Sequence, residues 1–227
     1  MMESGVPSLD KMLDGGYPSP GTILVVGPPS IEKELLGVQF ILKGLEQKEV
    51  CLILSTTRTK SDITQVMKLI NKNKNQGGGL YFMDAGGGKK EGGVVPVDLV
   101  QLDSVHETLK EFFEQHKGSV VRCYIEILSP ALMVNQPEVV YEFALRLHRL
   151  FHKYQATALM PIEGGIHDER SLNALKQVSD GVLEIKLERN GLELQSLLMI
   201  EKMAGRILPK KYYEFSAVVP GTEAVLQ

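Results

Sequence analysis

The sequence predicts an α/β fold of three layers around a mixed sheet, with a parallel centre and antiparallel C-terminal strands. Two observations predict it. Short apolar, β-branched runs alternate with amphipathic helical patterns from Thr22 to Ile162, the rhythm of parallel strands joined by helices on both faces. After Asp180 the rhythm changes, and three strand-like runs follow one another with only turns between them. A chain of 227 residues, 43% of them hydrophobic, can bury one sizeable core, and residues 1–227 are read as a single domain.

In chain order, Thr22 to Val26 reads as a strand, and a helix is expected from about Ile31 to Glu46. A strand from Val50 to Ser55 and a helix from about Ser61 to Asn73 repeat the unit. Leu80 to Ala85 is the third strand, followed by a helix from Ser104 to His116, a strand from Val120 to Leu128, a helix from Pro137 to Tyr154 and a strand from Ala156 to Ile162. In the last third, Val182 to Glu188, Leu192 to Met203 and Tyr212 to Val218 are strands, and the pair Asn190 and Gly191 between the first two signals a hairpin. The glycine-rich segments Gly77 to Gly79 and Gly86 to Gly93 are expected as surface loops, too flexible to pack by themselves, and the second is not a dinucleotide fingerprint, because no helix starts directly behind it and the spacing GxGxxG is absent.

The 25 basic and 28 acidic side chains are mixed along the chain and leave a net charge of -3, so no single-signed field announces nucleic acid or an anionic membrane. Nucleic-acid binding is therefore not expected. Cys51 and Cys123 each sit inside an apolar run, where a free thiol behaves as a small hydrophobe, and a reducing, cytoplasmic location follows as an expectation. The N-terminus has neither a basic leader nor an apolar stretch, and no run approaches the roughly 18 apolar residues that span a bilayer.

The chemistry concentrates in "VVGPPSIEKELLGVQF", Val25 to Phe40, where a strand runs through a glycine and two prolines to a lysine at the start of a helix. A phosphate-binding loop, GxxxxGK[ST], needs glycines so that backbone N–H groups close around phosphates, a lysine for the β and γ oxygens and a hydroxyl for magnesium. Gly27 and Lys33 stand at the first and the lysine positions, but Glu32 replaces the glycine before the lysine and Glu34 replaces the hydroxyl. Two like charges about 4 Å apart repel by roughly 4 kcal/mol at an effective dielectric of 20, so both carboxylates oppose a phosphate. Read without its neighbours, the stretch is a strand, a turn and a helix whose first-turn acids complement the dipole.

The stretch "SGVPSLDKMLDGGYPSPGTILVVGPPSIEKELLGVQFILKGLEQKEVCLIL" resembles the start of the KaiC and RecA superfamily of P-loop ATPases, in its archaeal KaiC-like form. Ser4, Gly5, Leu9, Asp10, Gly15, Gly16, Gly27, Pro28, Pro29, Lys33, Gln39 and Phe40 fall where that pattern puts them. "SDGVLEI" from Ser179 and "EKMAG" from Glu201 resemble two later segments of the family, so the likeness runs through nearly the whole chain. The resemblance implies a RecA-like P-loop fold, ATP with magnesium at the first strand-to-helix turn, and assembly into a ring of six or a dimer.

The departures from the family pattern point the other way. The catalytic glutamates expected after the second strand are Thr57 and Arg58, and the loss of a general base typically costs about two to four decades in rate. The aspartate expected at the end of the Walker B strand is Glu126, and the arginine of the later basic segment is Ala204. Lys202 and Arg206 nearby are expected as solvated strand residues. No catalytic residue is assigned; Gly27, Lys33, Glu34 and Glu126 are expected to form a vestigial ATP site, with Glu32, Glu34 and Glu126 converging near Lys33 to receive a cationic or peptide group.

The expected function is a regulatory or scaffold protein on an ATPase fold, working through a protein partner or its own assembly. The alternatives are a weak ATPase that uses Lys33 and Glu126, and a recombinase-related accessory protein. His148 and His152, four apart on a helix, have metal-ligand spacing but are expected to flank its apolar stripe in solvent, with no metal. The acidic loop Glu163, His167, Asp168 and Glu169 lies where α/β proteins gather ligands, which makes Glu163 and Asp168 candidates for a ligand contact.

Overall fold

A computed structural model describes residues 1–70, 79–87 and 93–215. The two glycine-rich loops and the ends of the 61–73 helix and the 212–218 strand lie partly outside the described residues.

Gly21–Gly27 (β1) leads into Ile31–Glu46 (α2) after a short first helix, Pro7–Met12 (α1). Val50–Ser55 (β2), Lys60–Ile70 (α3), Gly79–Asp84 (β3) and the short Val94–Pro96 (β4) follow. Then come Leu102–Gln115 (α4), Val121–Glu126 (β5), Leu128–Val134 (α5), Pro137–Lys153 (α6), Thr157–Glu163 (β6) and Glu169–Val178 (α7). Gly181–Asn190 (β7), Glu193–Met203 (β8) and Tyr212–Glu214 (β9) complete the described chain. The sheet order is β4-β3-β2-β5-β6-β1-β7-β8-β9, parallel from β4 through β7 and antiparallel in β8 and β9. Asn190 pairs with Glu193 and Gly191 has φ +64, so the predicted hairpin forms with its two-residue turn at Gly191 and Leu192, one residue after the predicted pair.

Each central strand is buried on both faces, which is why it reads as a continuous apolar run. Alternation then divides its side chains. Ile23, Val25, Cys51 and Ile53 join Leu9 of α1, Leu36 and Phe40 of α2, and Ile63 and Met67 of α3 in one core. Leu24, Val26, Leu52 and Leu54 face Leu109 and Phe113 of α4, Ala131 of α5, Val140 and Leu147 of α6 and Leu175 of α7 in the other. Within α2, Gly37 lets the helix close on the buried Tyr124 ring, because a Cβ there would lie 2.2 Å from Tyr124 Cε2.

Four elements are absent from the sequence reading. The predicted strand Val120 to Leu128 ends at Glu126, and the chain turns at Ile127 into α5. Pro130 sits in the first turn of α5, where its missing N–H is not needed. The helix α7 buries only Leu175, too little for an apolar stripe, and is started by Asp168, whose carboxylate accepts from Ser171 N–H at 2.9 Å. Helix α1 and strand β4 span 6 and 3 residues, too short for a periodicity.

Arg122 at the start of β5 is 1% exposed, although nothing in its apolar run announces a buried charge. Its guanidinium donates to the Glu49 carboxylate, to the carbonyls of Glu3 (2.5 Å) and Phe40 (3.3 Å) and to Gln47 Oε1 (2.7 Å). One side chain thus ties β5, the end of α2 and the N-terminal segment. Both cysteines are free and buried; burial pushes the Cys51 thiol up to about 12. Among the described residues, no helix is long and apolar enough to cross a membrane.

Candidate functional site

Parallel strands bring their C-terminal ends to one edge of the sheet, and β1 lies there between β6 and β7. The register sets Gly27 beside Glu163 and Ser55 beside Glu126. The loop 28–30 leaves β1 and α2 begins at once, so Lys33 emerges from the first helical turn over this edge.

Lys33 is 4% exposed. Its Nζ donates to the Gly27 carbonyl at 2.8 Å and to Glu163 Oε2 at 2.5 Å. Burial holds its ammonium below the usual lysine range, opposed by the Glu163 hydrogen bond and charge and by the charge of Glu126. Glu163 is held for this role, since its N–H donates to Ser129 Oγ at 2.7 Å and the next N–H, of Gly164, donates to the Gly27 carbonyl at 2.8 Å. The sequence placed Glu163 among candidate ligand contacts; in the folded chain its contact is Lys33.

Arg58, where the family has a catalytic glutamate, donates through Nη2 to Glu34 Oε2 at 2.8 Å, and Glu34 stands where the family has the magnesium hydroxyl. The two departures therefore pair with each other. Glu126 accepts from Ser55 Oγ at 2.6 Å and Thr57 Oγ1 at 3.3 Å. Burial pushes its carboxyl above the usual range against those hydrogen bonds, and the charge of Glu34 adds to the rise. Ser30 Oγ and Glu34 Oε1 are buried with no hydrogen-bond partner among the described residues.

The expected convergence of three glutamates on Lys33 does not occur. Glu32 turns to β8, where it accepts from Ser196 Oγ at 2.6 Å, because residues two apart on a helix do not share a face. The acidic loop also divides: Asp168 caps α7, and His167 Nε2 lies 2.8 Å from Ser129 Oγ, with burial lowering its pKa. Lys202 is an exposed residue of β8, as expected, and its Nζ also donates to the carbonyls of Lys176, Gln177 and Ser179 (3.2, 3.1 and 2.6 Å), closing the end of α7. Arg206 reaches the Gly16 carbonyl at 2.9 Å.

The comparisons with known proteins agree with this scaffold. A family model described as "ATPase: KaiC" matches residues 2–221. The chain belongs to the KaiC ATPase family. Relatives are UPF0273 proteins: that of Pyrococcus furiosus is 23% identical, covering 97% of this chain and 92% of its own. That of Methanopyrus kandleri is 24% identical over 97% of this chain and 90% of its own. The crystal structure of a KaiC-like protein from Pyrococcus horikoshii superposes with a TM-score of 0.75 at 21% identity, covering 100% of this chain and 98% of that one. The KaiC-family chain thus has the RecA-like fold that its motifs implied.

The signals for Lys33 and Glu126 were legible, because their positions follow strands that periodicity finds. Glu163 as the partner of Lys33 was not, since 130 residues separate the two and only the β1–β6 register joins them.

Proposed function

We propose that this KaiC-family protein keeps the ATPase scaffold without hydrolysing ATP at an appreciable rate, and acts as a regulatory or scaffold protein through a protein partner or its own assembly. The observation that carries the reading is the Lys33–Glu163 pair at 2.5 Å. A phosphate must displace that carboxylate before it can use the lysine, and no free carboxylate stands where the family's general base would be: that position holds Arg58, itself paired with Glu34. The vestigial site would comprise Gly27, Lys33, Glu34 and Glu126.

A calorimetric titration with MgATP tests it, with a dissociation constant weaker than about 10 µM expected. Tighter binding that is lost in Lys33→Ala overturns the reading. A light-scattering mass tells self-assembly from action through a separate partner.

A second reading, a weak ATP-binding protein, is favoured by Ser30 Oγ and Glu34 Oε1, buried polar atoms that a bound ion or phosphate would satisfy. Glu163→Gln separates the two: a tenfold or greater gain in MgATP affinity supports a site restrained by its own carboxylate, and no gain supports a site that has ceased to serve nucleotide.

A further inference from the structure

The opposite edge of the sheet holds a second cluster, which the sequence left divided between a helix and a distant strand. His148 and His152 lie one turn apart near the end of α6, with ring centroids 4.4 Å apart. Asp180, the residue before β7, faces both: its Oδ2 is 2.9 Å from His152 Nε2 and 3.5 Å from His148 Nδ1. One donor atom from each of the three lies within 4.8 Å of the others.

Two imidazoles at a four-residue helical spacing with one carboxylate form the ligand set of zinc-type sites. In a tetrahedral site with bonds of about 2.0–2.2 Å, neighbouring ligand atoms stand roughly 3.3 Å apart. The two distances to Asp180 bracket that edge, so small rotations of the imidazoles would admit the ion. The carboxylate is also held by β1, because the same Oδ2 accepts from Thr22 N–H at 2.8 Å and Thr22 Oγ1 at 3.0 Å, and Thr22 Oγ1 in turn lies 3.1 Å from His148 Nδ1, a contact that the ion would replace. Asp180 N–H in turn donates to the Thr22 carbonyl at 2.8 Å. A ligand oriented by hydrogen bonds from an adjacent strand is what metal sites require of their surroundings.

Exposure fits as well. The side chain of Asp180 is 16% exposed and those of His148 and His152 25% and 39%, so the carboxylate lies deepest and water can complete the tetrahedron from the open side. Thr22 lies five residues before Gly27 on β1, about 17 Å away at roughly 3.3 Å per residue. The cluster is therefore separate from the edge that carries Lys33.

We propose that His148, His152 and Asp180 bind one divalent cation of the zinc class, clamping the last turns of α6 to the starts of β1 and β7. The test uses the full chain, stripped with a chelator and titrated with Zn(II) against a chromophoric competitor, and with Co(II) followed by visible absorption. One equivalent of Zn(II) should bind with a micromolar or tighter dissociation constant, Co(II) should give the intense bands of four-coordination, and the thermal midpoint should rise until one equivalent has been added. His148→Ala and His152→Ala should each weaken binding at least 100-fold, while His106→Ala leaves it unchanged. Wild-type binding weaker than about 100 µM overturns the proposal, as do six-coordinate Co(II) spectra or Zn(II) binding indifferent to both alanine variants. Should an alanine variant fail to fold, the wild-type cobalt spectrum and the one-equivalent end point of the thermal shift decide by themselves.

Discussion

At the scale of the residue, Glu126 and Tyr17 carry costs that can be measured. Burial raises the Glu126 carboxyl above 4.5, so in the window just above 4.5 the folded chain binds more protons than the unfolded one. The group therefore favours folding at low pH, and that contribution is lost as pH rises through its folded pKa. Glu126→Gln accepts the same hydrogen bond from Ser55 and lacks the penalty; urea midpoints should show it gaining on the wild type between pH 4 and pH 7. Tyr17 is wholly buried with its hydroxyl unpartnered among the described residues, and burial raises its pKa strongly. An unmade buried hydrogen bond costs about 1–3 kcal/mol, so Tyr17→Phe should leave stability unchanged or raise it by about 1 kcal/mol in a denaturant titration. A loss above that size would mean that the hydroxyl has a partner.

At the scale of the element, α2 is tied to the sheet at both ends. Lys33 anchors its first turn to β6, and Arg122 holds its last turns through the Phe40 carbonyl and Gln47, just past its end. Arg122→Met would strand the Glu49 carboxylate, 14% exposed, without its partner. Breaking a buried ion pair from one side costs about 3–5 kcal/mol, and the drop in unfolding free energy should fall in that range. Helix periodicity reported where α2, α4 and α6 run, because each has a continuous apolar stripe. It did not report α5 or α7, whose packing uses few residues and whose starts depend on Ile127 and on the Asp168 cap.

At the scale of the whole molecule, two cores share one sheet, and β1, β6, β5 and β2 are covered on both faces. The edge strands β4 and β9 have 3 residues each. Amide exchange should therefore be slowest in Leu24, Ile53, Cys123 and Leu159 and faster by orders of magnitude in Val95 and Tyr213, since local opening needs less burial to be given up at the edges. Equal protection across the sheet would contradict that order.

The order of the longer strands and of the helices α2, α3, α4 and α6, the parallel centre, the C-terminal hairpin and the position of Lys33 at the mouth of a helix were determined by the sequence alone. Each rests on local alternation, a turn pair or a motif, which neighbouring residues are enough to specify. What Lys33 holds, why Arg58 stands where a carboxylate is expected, and how His148 and His152 come to face Asp180 were decided only by tertiary structure. Those contacts join residues 130, 24 and 28 or more positions apart, and it is the register of parallel strands together with the packing of α2 and α6 on the sheet, invisible in any local window, that brings them together.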